Sequence, residues 1–231
     1  FSVAALQAAL RTPSRYAPRQ VLLSAEQTAN IGGGTVWPQA ELAAVAAAAK
    51  TAGLATHLDG ARLLNACVAS GVAADVMTAG WDSAWLDFSK GLGAPIGGVL
   101  AGSTAFIDEV WRWKQRLGGA MRQAGICAAA CLHALDHNVA RLAEDHARAR
   151  RLAQGLSQIA GVTVQAPDTN LVFFEVGGTG LAATEMLAAL RARGILMAML
   201  GGRLRACTHL DITDTMIDET LEVIRTAVRG A

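Results

Sequence analysis

The apolar positions in the first sixty residues form two short runs of strand length on either side of a longer segment with helical spacing. The runs cover residues 20–24 and 54–58, and the segment between them covers residues 39–52. A strand, a helix and a second strand form a β-α-β unit, whose crossover favours parallel pairing. Asp59 directly follows the second strand. It therefore lies at the carboxyl end of a parallel sheet, where α/β proteins place their ligands.

A second candidate position follows the next strand. Residues 83–89 form an apolar run that ends at Lys90, and residues 97–102 predict the strand that comes after it. Lys90 is thus expected in a turn between two strands, and the glycines behind it let the backbone approach a ligand closely. It is also one of only three lysines in the chain. The alternative interpretation is a turn lysine with no ligand.

The remaining sequence predicts helices first and then an alternation of strands and helices. Residues 104–156 have a helical pattern that two adjacent glycines interrupt, and the last helix is expected over residues 214–228. This order predicts an α/β fold with a second, smaller α+β part. The predicted divisions are the C-terminal part of a large α/β domain over residues 1–115, connecting helices over 116–150 and a small α+β domain over 151–231.

Composition and charge exclude several classes of function. The 231-residue chain has a formal net charge of +1, so it lacks the broad basic surface that nucleic acid requires. Its apolar runs are shorter than the roughly 18 residues of a membrane span, and no membrane or nucleic-acid partner is predicted. The four cysteines include no CxxC pair, which favours reduced thiols and a cytoplasmic location. His133 and His137 have no evident third ligand, so no metal site is predicted.

Asp59 and Lys90 together suggest a site for pyridoxal phosphate. A lysine amine can form a Schiff base with the cofactor, and a carboxylate can keep the pyridine nitrogen protonated so that the ring withdraws electrons. The alternative for the hexapeptide His57–Arg62 is a structural cap with an ion pair.

Five segments around these residues resemble the low-specificity L-threonine aldolases. In chain order they are Gly32–Pro38, His57–Arg62, Ser89–Pro95, Leu117–Gly125 and Arg205–Asp211. The resemblance covers the chain from about Ser24 onward. It implies a fold-type-I enzyme, with the pyridoxal-phosphate-binding sheet of the aspartate aminotransferase type. It also implies a lyase activity, in which L-threonine, L-allo-threonine and related β-hydroxy-α-amino acids are cleaved to glycine and an aldehyde.

The resemblance implies roles for four residues near the cofactor. Lys90 matches the Schiff-base lysine, and Asp59 matches the partner of the pyridinium nitrogen. Arg62 resembles the arginine near the 3-hydroxyl oxygen of the cofactor, and Ser89 is a candidate for contact with the phosphate.

Two further arginines match positions with other roles. Arg205 resembles the arginine that binds the substrate carboxylate, for which a planar guanidinium is suited because it can donate two parallel hydrogen bonds. Arg122 resembles an arginine that reaches a phosphate, often in a neighbouring subunit. The resemblance therefore implies a homotetramer built from dimers with shared sites.

Three departures from the family pattern affect this interpretation. The family usually has a histidine before the glycine loop, thought to approach the substrate hydroxyl, where this chain has Ala29. Gln115 stands where many members have a lysine that contacts the phosphate, with Lys114 and Arg116 on either side. The chain opens on Phe1, and we expect it to lack the N-terminal third of an ordinary member. Two alternative functions remain open. The chain is another pyridoxal-phosphate-dependent lyase or aminotransferase, or it is a truncated chain that acts only as an assembly partner.

Overall fold

The computed structural model describes residues 1–230, which form two compact units. The N-terminal unit comprises residues 1–28 and 37–138, and the C-terminal unit comprises residues 29–36 and the chain from Val139 onward. The chain passes from one unit to the other between Asn138 and Val139, inside the segment predicted to connect two domains. None of the described helices is long and apolar enough to cross a membrane.

The N-terminal unit contains a four-stranded sheet with helices in its connections. The elements are α1 (Val3–Ala9), β1 (Leu22–Glu26), α2 (Gln39–Thr51), β2 (Ala55–Gly60), α3 (Leu63–Ser70), α4 (Ala74–Thr78), β3 (Ser83–Asp87), β4 (Gly98–Gly102), α5 (Thr104–Arg116) and α6 (Gly125–His137). The strand order is β1-β2-β3-β4. Strands β1, β2 and β3 are parallel, which confirms the predicted β-α-β unit, whereas β4 runs antiparallel to β3.

The register of the sheet brings three residues into one row at the carboxyl ends of the parallel strands. Glu26 pairs with Asp59, and Asp59 pairs with Trp85. Gly60 follows in β2, where a Cβ atom would overlap the carbonyl oxygen of Trp85. Only glycine therefore allows β2 and β3 to approach this closely beside Asp59.

The C-terminal unit is an antiparallel sheet covered by helices. Its elements are α7 (Leu142–Ser157), β5 (Thr163–Val164), β6 (Leu171–Glu175), α8 (Ala183–Arg191), β7 (Ala198–Leu200), β8 (Arg203–Cys207) and α9 (Asp214–Arg229). The strand order is β5-β6-β8-β7. Val172, Phe174 and Leu204 of the sheet form a core with apolar residues of the three helices, including Leu156, Met186 and Leu221.

The start of α9 and the face that it buries can both be explained from its local sequence. Thr213 caps the helix, since its hydroxyl accepts from the backbone N–H of Met216 at 3.2 Å. Ile217, Leu221 and Ile224 then follow at helical spacing and are buried. This helix therefore packs one apolar stripe on the sheet of its unit.

The glycine loop of residues 29–36 is part of the C-terminal unit although it lies far from that unit in the sequence. The Thr169 hydroxyl donates to the carbonyl of Gly34 at 2.7 Å, and an Asp168 carboxylate oxygen accepts from the N–H of Val36 at 3.0 Å. Gly33 has a φ of +88°, and a Cβ there would lie 2.6 Å from the Gln165 amide nitrogen. The loop thus needs glycine for both its backbone conformation and its close packing.

The predicted helical stretch over residues 104–156 proves to be three helices. The break after α5 was expected from Gly118 and Gly119, but the break after α6 was not. Helix α6 ends at His137, and the side-chain amide of the next residue, Asn138, donates to the carbonyl of Leu92 at 2.7 Å. A contact with a distant loop therefore helps to end this helix, and no local glycine or proline marks the position.

Candidate active site

Asp59 is oriented by two hydrogen bonds to one of its carboxylate oxygens. Its Oδ1 accepts from the backbone N–H of Ala61 at 3.0 Å and from the indole N–H of Trp85 at 2.7 Å. Within residues 1–230, no hydrogen bond to Oδ2 is found. The carboxylate is thus held in place with one oxygen available to a donor such as a protonated ring nitrogen.

Lys90 lies next to the same tryptophan. Its Nζ is 5.1 Å from the centroid of the Trp85 ring and pairs with the Asp87 carboxylate. Asp59 and Lys90 therefore share Trp85 as a neighbour. The structure brings the two predicted catalytic residues to one end of the sheet, as the positions of β2 and β3 in the sequence suggest.

Asp87 is the last residue of β3 and is nearly buried. Its Oδ1 accepts from both the backbone N–H and the hydroxyl of Ser89, each at 2.7 Å. Burial raises the pKa of Asp87, but the hydrogen bonds from Lys90 and Ser89 outweigh burial and hold the pKa below its usual range. Asp87 is therefore ionised at neutral pH beside the Lys90 side chain.

The turn that carries Lys90 is closed by backbone hydrogen bonds. The N–H of Gly93 donates to the carbonyl of Lys90 at 2.9 Å, and the N–H of Phe88 donates to the carbonyl of Gly97 at 3.0 Å. A Cβ at Gly97 would overlap the sulfur of Cys131 in α6. The glycines behind Lys90 thus allow both a tight turn and close packing.

The other cofactor candidates of the N-terminal unit have different environments. Arg62 is buried directly before α3. The hydroxyl of Ser89 is already engaged with Asp87. Arg122 is exposed in the segment between α5 and α6 and makes no hydrogen bond or ion pair in the described part of the chain. The roles assigned to these three residues stay predictions.

Arg205 belongs to the C-terminal unit. It lies in β8, opposite Phe173 of β6 and Ala198 of β7. Its Nε is buried, and no hydrogen-bond partner for this atom is found among the described residues. A buried guanidinium nitrogen without a partner is costly, and the substrate-binding role of Arg205 stays a prediction.

Sequence reasoning missed Arg203, two positions before Arg205 in the same strand. The Arg203 guanidinium lies 4.4 Å from the centroid of Phe173, and it donates to the side-chain oxygen of Gln165 and the carbonyl of Ile31, each at 3.1 Å. It thus ties the glycine loop to the sheet. Asp87 and the contacts that Trp85 makes with Asp59 and Lys90 were missed as well, because nothing in the local sequence indicates which side chains these residues meet.

Comparison with known proteins shows the family to which the chain belongs. A family model described as beta-eliminating lyase matches residues 1–179 of the chain. The low-specificity L-threonine aldolase 1 of Arabidopsis thaliana is 37% identical over 230 residues, which cover 97% of this chain and 64% of that protein. The chain therefore spans less than two thirds of the length of this relative. The resemblance to the L-threonine aldolases is confirmed.

Two solved structures share the fold. The threonine aldolase of Leishmania major has a TM-score of 0.80 at 21% identity, over 99% of this chain and 67% of that chain. The aspartate aminotransferase of Rhizobium meliloti has a TM-score of 0.72 at 16% identity, over 99% of this chain and 62% of that chain. The predicted α/β fold of the aspartate aminotransferase type is confirmed.

Proposed function

Because the chain belongs to the beta-eliminating lyase family, we propose that it acts in a pyridoxal-phosphate-dependent aldolase. The reaction is the cleavage of L-threonine, L-allo-threonine and related β-hydroxy-α-amino acids to glycine and an aldehyde. The observation that carries the proposal is the common contact of Asp59 and Lys90 with Trp85. An amine and an oriented carboxylate at neighbouring strand ends are the two groups that this cofactor requires.

The residues of the N-terminal unit fit pyridoxal phosphate. Oδ2 of Asp59 can accept a hydrogen bond from the pyridinium nitrogen, because the Trp85 and Ala61 hydrogen bonds occupy only Oδ1. Lys90 is the amine for attachment, and its side chain is 35% exposed and so accessible. When bound, the cofactor supplies an electron-withdrawing ring that takes up the electrons of the broken carbon–carbon bond.

The remaining cofactor roles follow from the resemblance. Arg62 is proposed to lie near the 3-hydroxyl oxygen, and Arg122 and Ser89 are proposed to contact the phosphate. The Ser89 hydroxyl donates to Asp87, so a phosphate contact would replace that hydrogen bond.

Arg205 is proposed to bind the carboxylate of the amino-acid substrate. Its unpartnered buried Nε supports this role, since a carboxylate would satisfy that donor. Removal of the proton from the substrate hydroxyl requires another group. Ala29, at the position of the family histidine, has no side chain that can accept this proton.

The proposal is tested by product analysis with the purified 231-residue chain, pyridoxal phosphate and L-threonine. Glycine and acetaldehyde in equal amounts are the expected products. Pyruvate or another keto acid would favour the β-eliminating or transaminating alternative. Complete inactivity despite a folded chain would favour a role as an assembly partner only.

We also propose that the chain forms a homo-oligomer, built from dimers into a tetramer. Helix α5 has no buried residue, and α6 buries only Ala134. Large apolar side chains on and between these helices are exposed, including Trp111 (57%), Leu117 (80%) and Ile126 (85%). An exposed apolar area of this kind is typical of an interface. The position of Arg122 between the two helices suits the shared sites that the resemblance implies.

Light scattering tests the oligomer. A mass of four chains is expected for the unaltered protein, and Ile126→Asp should reduce it, because a charge placed in an apolar interface is strongly unfavourable. Leu196→Asp, at an exposed leucine of the C-terminal unit, is the control. A monomer before any substitution would refute the proposal.

A cytoplasmic location is likewise a proposal. Among the described residues, no disulfide joins any of the four cysteines, which suits a reducing compartment.

A further inference from the structure

The C-terminal unit contains a cavity of about 470 Å³ with largely apolar walls. Six of its lining residues belong to the apolar core of this unit or pack against that core: Leu152, Ile195, Met197, Ala206, Ile212 and Ile217. The volume lies within the range of roughly 300–1,000 Å³ that small-molecule sites occupy. The cavity is therefore large enough for a small organic ligand.

The cavity is separate from the position of Arg205. Ala206 lines the cavity and packs in the core beneath the helices. Successive residues of a strand point to opposite faces of the sheet, so Arg205 points away from these helices. Arg205 is not among the described residues that line the cavity. A ligand there would leave the proposed binding site for the substrate carboxylate free.

The hydroxyl groups in the cavity wall already have acceptors within the protein. The Thr208 hydroxyl donates to the carbonyl of Asp145 at 2.7 Å, and the Thr220 hydroxyl donates to the carbonyl of Met216 at 2.7 Å. Burial of these groups by a ligand thus leaves no donor unsatisfied. The interior is suited to an apolar group.

Two charged side chains of the cavity have no protein partner. Arg193 lies two residues after α8, and Glu219 lies in α9. Within residues 1–230, no hydrogen bond or ion pair of either side chain is found. In contrast, the Asp211 carboxylate, which also lines the cavity, lies 3.6 Å from Nδ1 of His209. The cavity thus offers one cation and one anion to a ligand.

Each of these two charges lies beside an apolar part of the wall. Met216 and Glu219 are three residues apart in α9, and residues at this spacing share one face of a helix. Arg193 and Ile195 line the cavity from the segment that follows α8. A ligand that contacts both charges would therefore also contact apolar side chains.

We propose that this cavity binds an α-amino acid with a large apolar side chain, at a site separate from the proposed active site. The apolar side chain lies against Ile195, Ile212 and Met216. Arg193 binds the carboxylate, since a guanidinium can donate two parallel hydrogen bonds to it, and Glu219 pairs with the ammonium group. The inference does not depend on the proposed function, because Lys90 and the cofactor take no part in this binding.

The first test is titration calorimetry of the 231-residue chain with L-leucine. A dissociation constant on the order of 1 mM is expected for a ligand of this size. L-Alanine should bind at least tenfold more weakly, because each buried methylene group contributes about a fourfold gain in affinity. Equal affinities for the two amino acids, or no binding of L-leucine at millimolar concentrations, would refute the proposal.

Nuclear magnetic resonance of the chain with labelled methionine methyl groups locates the ligand. Met197 and Met216 line the cavity, and their signals should shift when L-leucine is added. Met77 and Met121 belong to the N-terminal unit, and their signals should stay in place. Shifts at Met77 and Met121 without shifts at Met197 and Met216 would place the ligand elsewhere and overturn the proposal.

Two analogues of L-leucine separate the two charge contacts. Isoamylamine keeps the ammonium group and lacks the carboxylate, whereas isocaproate keeps the carboxylate and lacks the ammonium group. Arg193→Gln should weaken the binding of L-leucine about fivefold, the upper range for an ion pair that water partly screens, and leave that of isoamylamine unchanged. Glu219→Gln should weaken L-leucine to the same extent and leave isocaproate unchanged.

Three control variants make the result decisive. Arg191→Gln in α8 and Glu175→Gln in β6 remove exposed charges that do not line the cavity, and both should leave the affinity for L-leucine unchanged. Arg205→Gln should leave it unchanged as well. A loss of affinity in Arg205→Gln with none in Arg193→Gln would place L-leucine at the proposed active site and refute this second site, while the proposed function would stand.

Discussion

The indole N–H of Trp85 donates a 2.7 Å hydrogen bond to Oδ1 of Asp59. The two residues are direct partners in the parallel register of β2 and β3, so the sheet itself sets their distance. The same indole ring faces the Lys90 amine. Trp85 therefore contacts both residues of the proposed cofactor site and orients the Asp59 carboxylate.

Trp85→Phe should weaken the binding of pyridoxal phosphate. The substitution keeps an aromatic ring but removes the donor that orients Asp59, and a hydrogen bond to a charged group contributes about 1.5–3 kcal/mol. We expect an increase in the dissociation constant of about tenfold or more, measured by absorbance titration. Trp81→Phe is the matched control, because the buried Nε1 of Trp81 has no hydrogen-bond partner within residues 1–230. Equal effects of the two variants would contradict the role of Trp85.

Lys90→Ala should abolish covalent attachment of the cofactor. No other amine lies at this turn, and the nearest lysine in sequence is Lys114 at the end of α5. Intact mass after borohydride reduction should show the added mass in the unaltered chain and in Lys114→Ala, but not in Lys90→Ala. Cofactor trapped on Lys90→Ala to the same extent would show that attachment occurs elsewhere.

Gly60→Ala should destabilise the N-terminal unit and displace Asp59. A methyl group there would overlap the Trp85 carbonyl and lie 3.2 Å from the Leu63 Cβ, and such overpacking costs about 1–3 kcal/mol. Urea unfolding measures the loss. Gly125→Ala is the control, since a Cβ at that position meets nothing within 4 Å. A loss no larger than that of the control would argue against close packing at Gly60.

Leu204→Ala should destabilise the C-terminal unit by about 2–5 kcal/mol, the range for removal of a buried leucine. Leu204 is fully buried in the core between the sheet and its helices. Leu196→Ala, at a leucine that is 80% exposed in the same unit, should change the free energy of unfolding by less than about 0.5 kcal/mol. Chemical unfolding of the two variants provides the comparison.

His146 should make the C-terminal unit less stable in acid. Burial, with a smaller effect of the Arg150 charge, lowers the pKa of His146 from 6.5 to about 4. Above pH 6.5 the histidine is neutral in both the folded and the unfolded chain, and its contribution is fully present. As the pH falls toward 4 the unfolded chain takes up a proton that the folded chain does not, so a contribution on the order of 3 kcal/mol is lost.

Comparison of two variants isolates this effect. His146→Gln should flatten the pH dependence of the free energy of unfolding between pH 6.5 and 4, whereas His133→Gln, at an exposed position of α6, should not. Burial raises the pKa of the neighbouring Asp145 despite its hydrogen bond with Arg141, and this opposing effect is common to both variants. An unchanged slope in His146→Gln would contradict the assignment.

Much of the fold could be predicted from local pattern. The apolar runs before Asp59 and Lys90 form β2 and β3, and the segment over residues 39–52 forms α2. These elements are predictable because the spacing of apolar residues, and the glycines and prolines on either side, are properties of the local sequence. The end of α6 at His137 was not predicted. It depends in part on a hydrogen bond from the next residue, Asn138, to Leu92 across 46 positions of the chain, which no window of sequence contains.

The sequence by itself determined the strand ends that carry Asp59 and Lys90 and the chemistry of their side chains, because strand length and residue type are local properties. Only the tertiary structure decided that Trp85 contacts both residues, that Asp87 holds Lys90, and that Arg203 ties the glycine loop to its sheet. Each of these contacts depends on strand register and side-chain packing. The same holds for the hydrogen bond between Thr169 and Gly34 in the glycine loop, which joins residues 135 positions apart in the sequence. Such contacts form only when the folded backbone brings distant segments together.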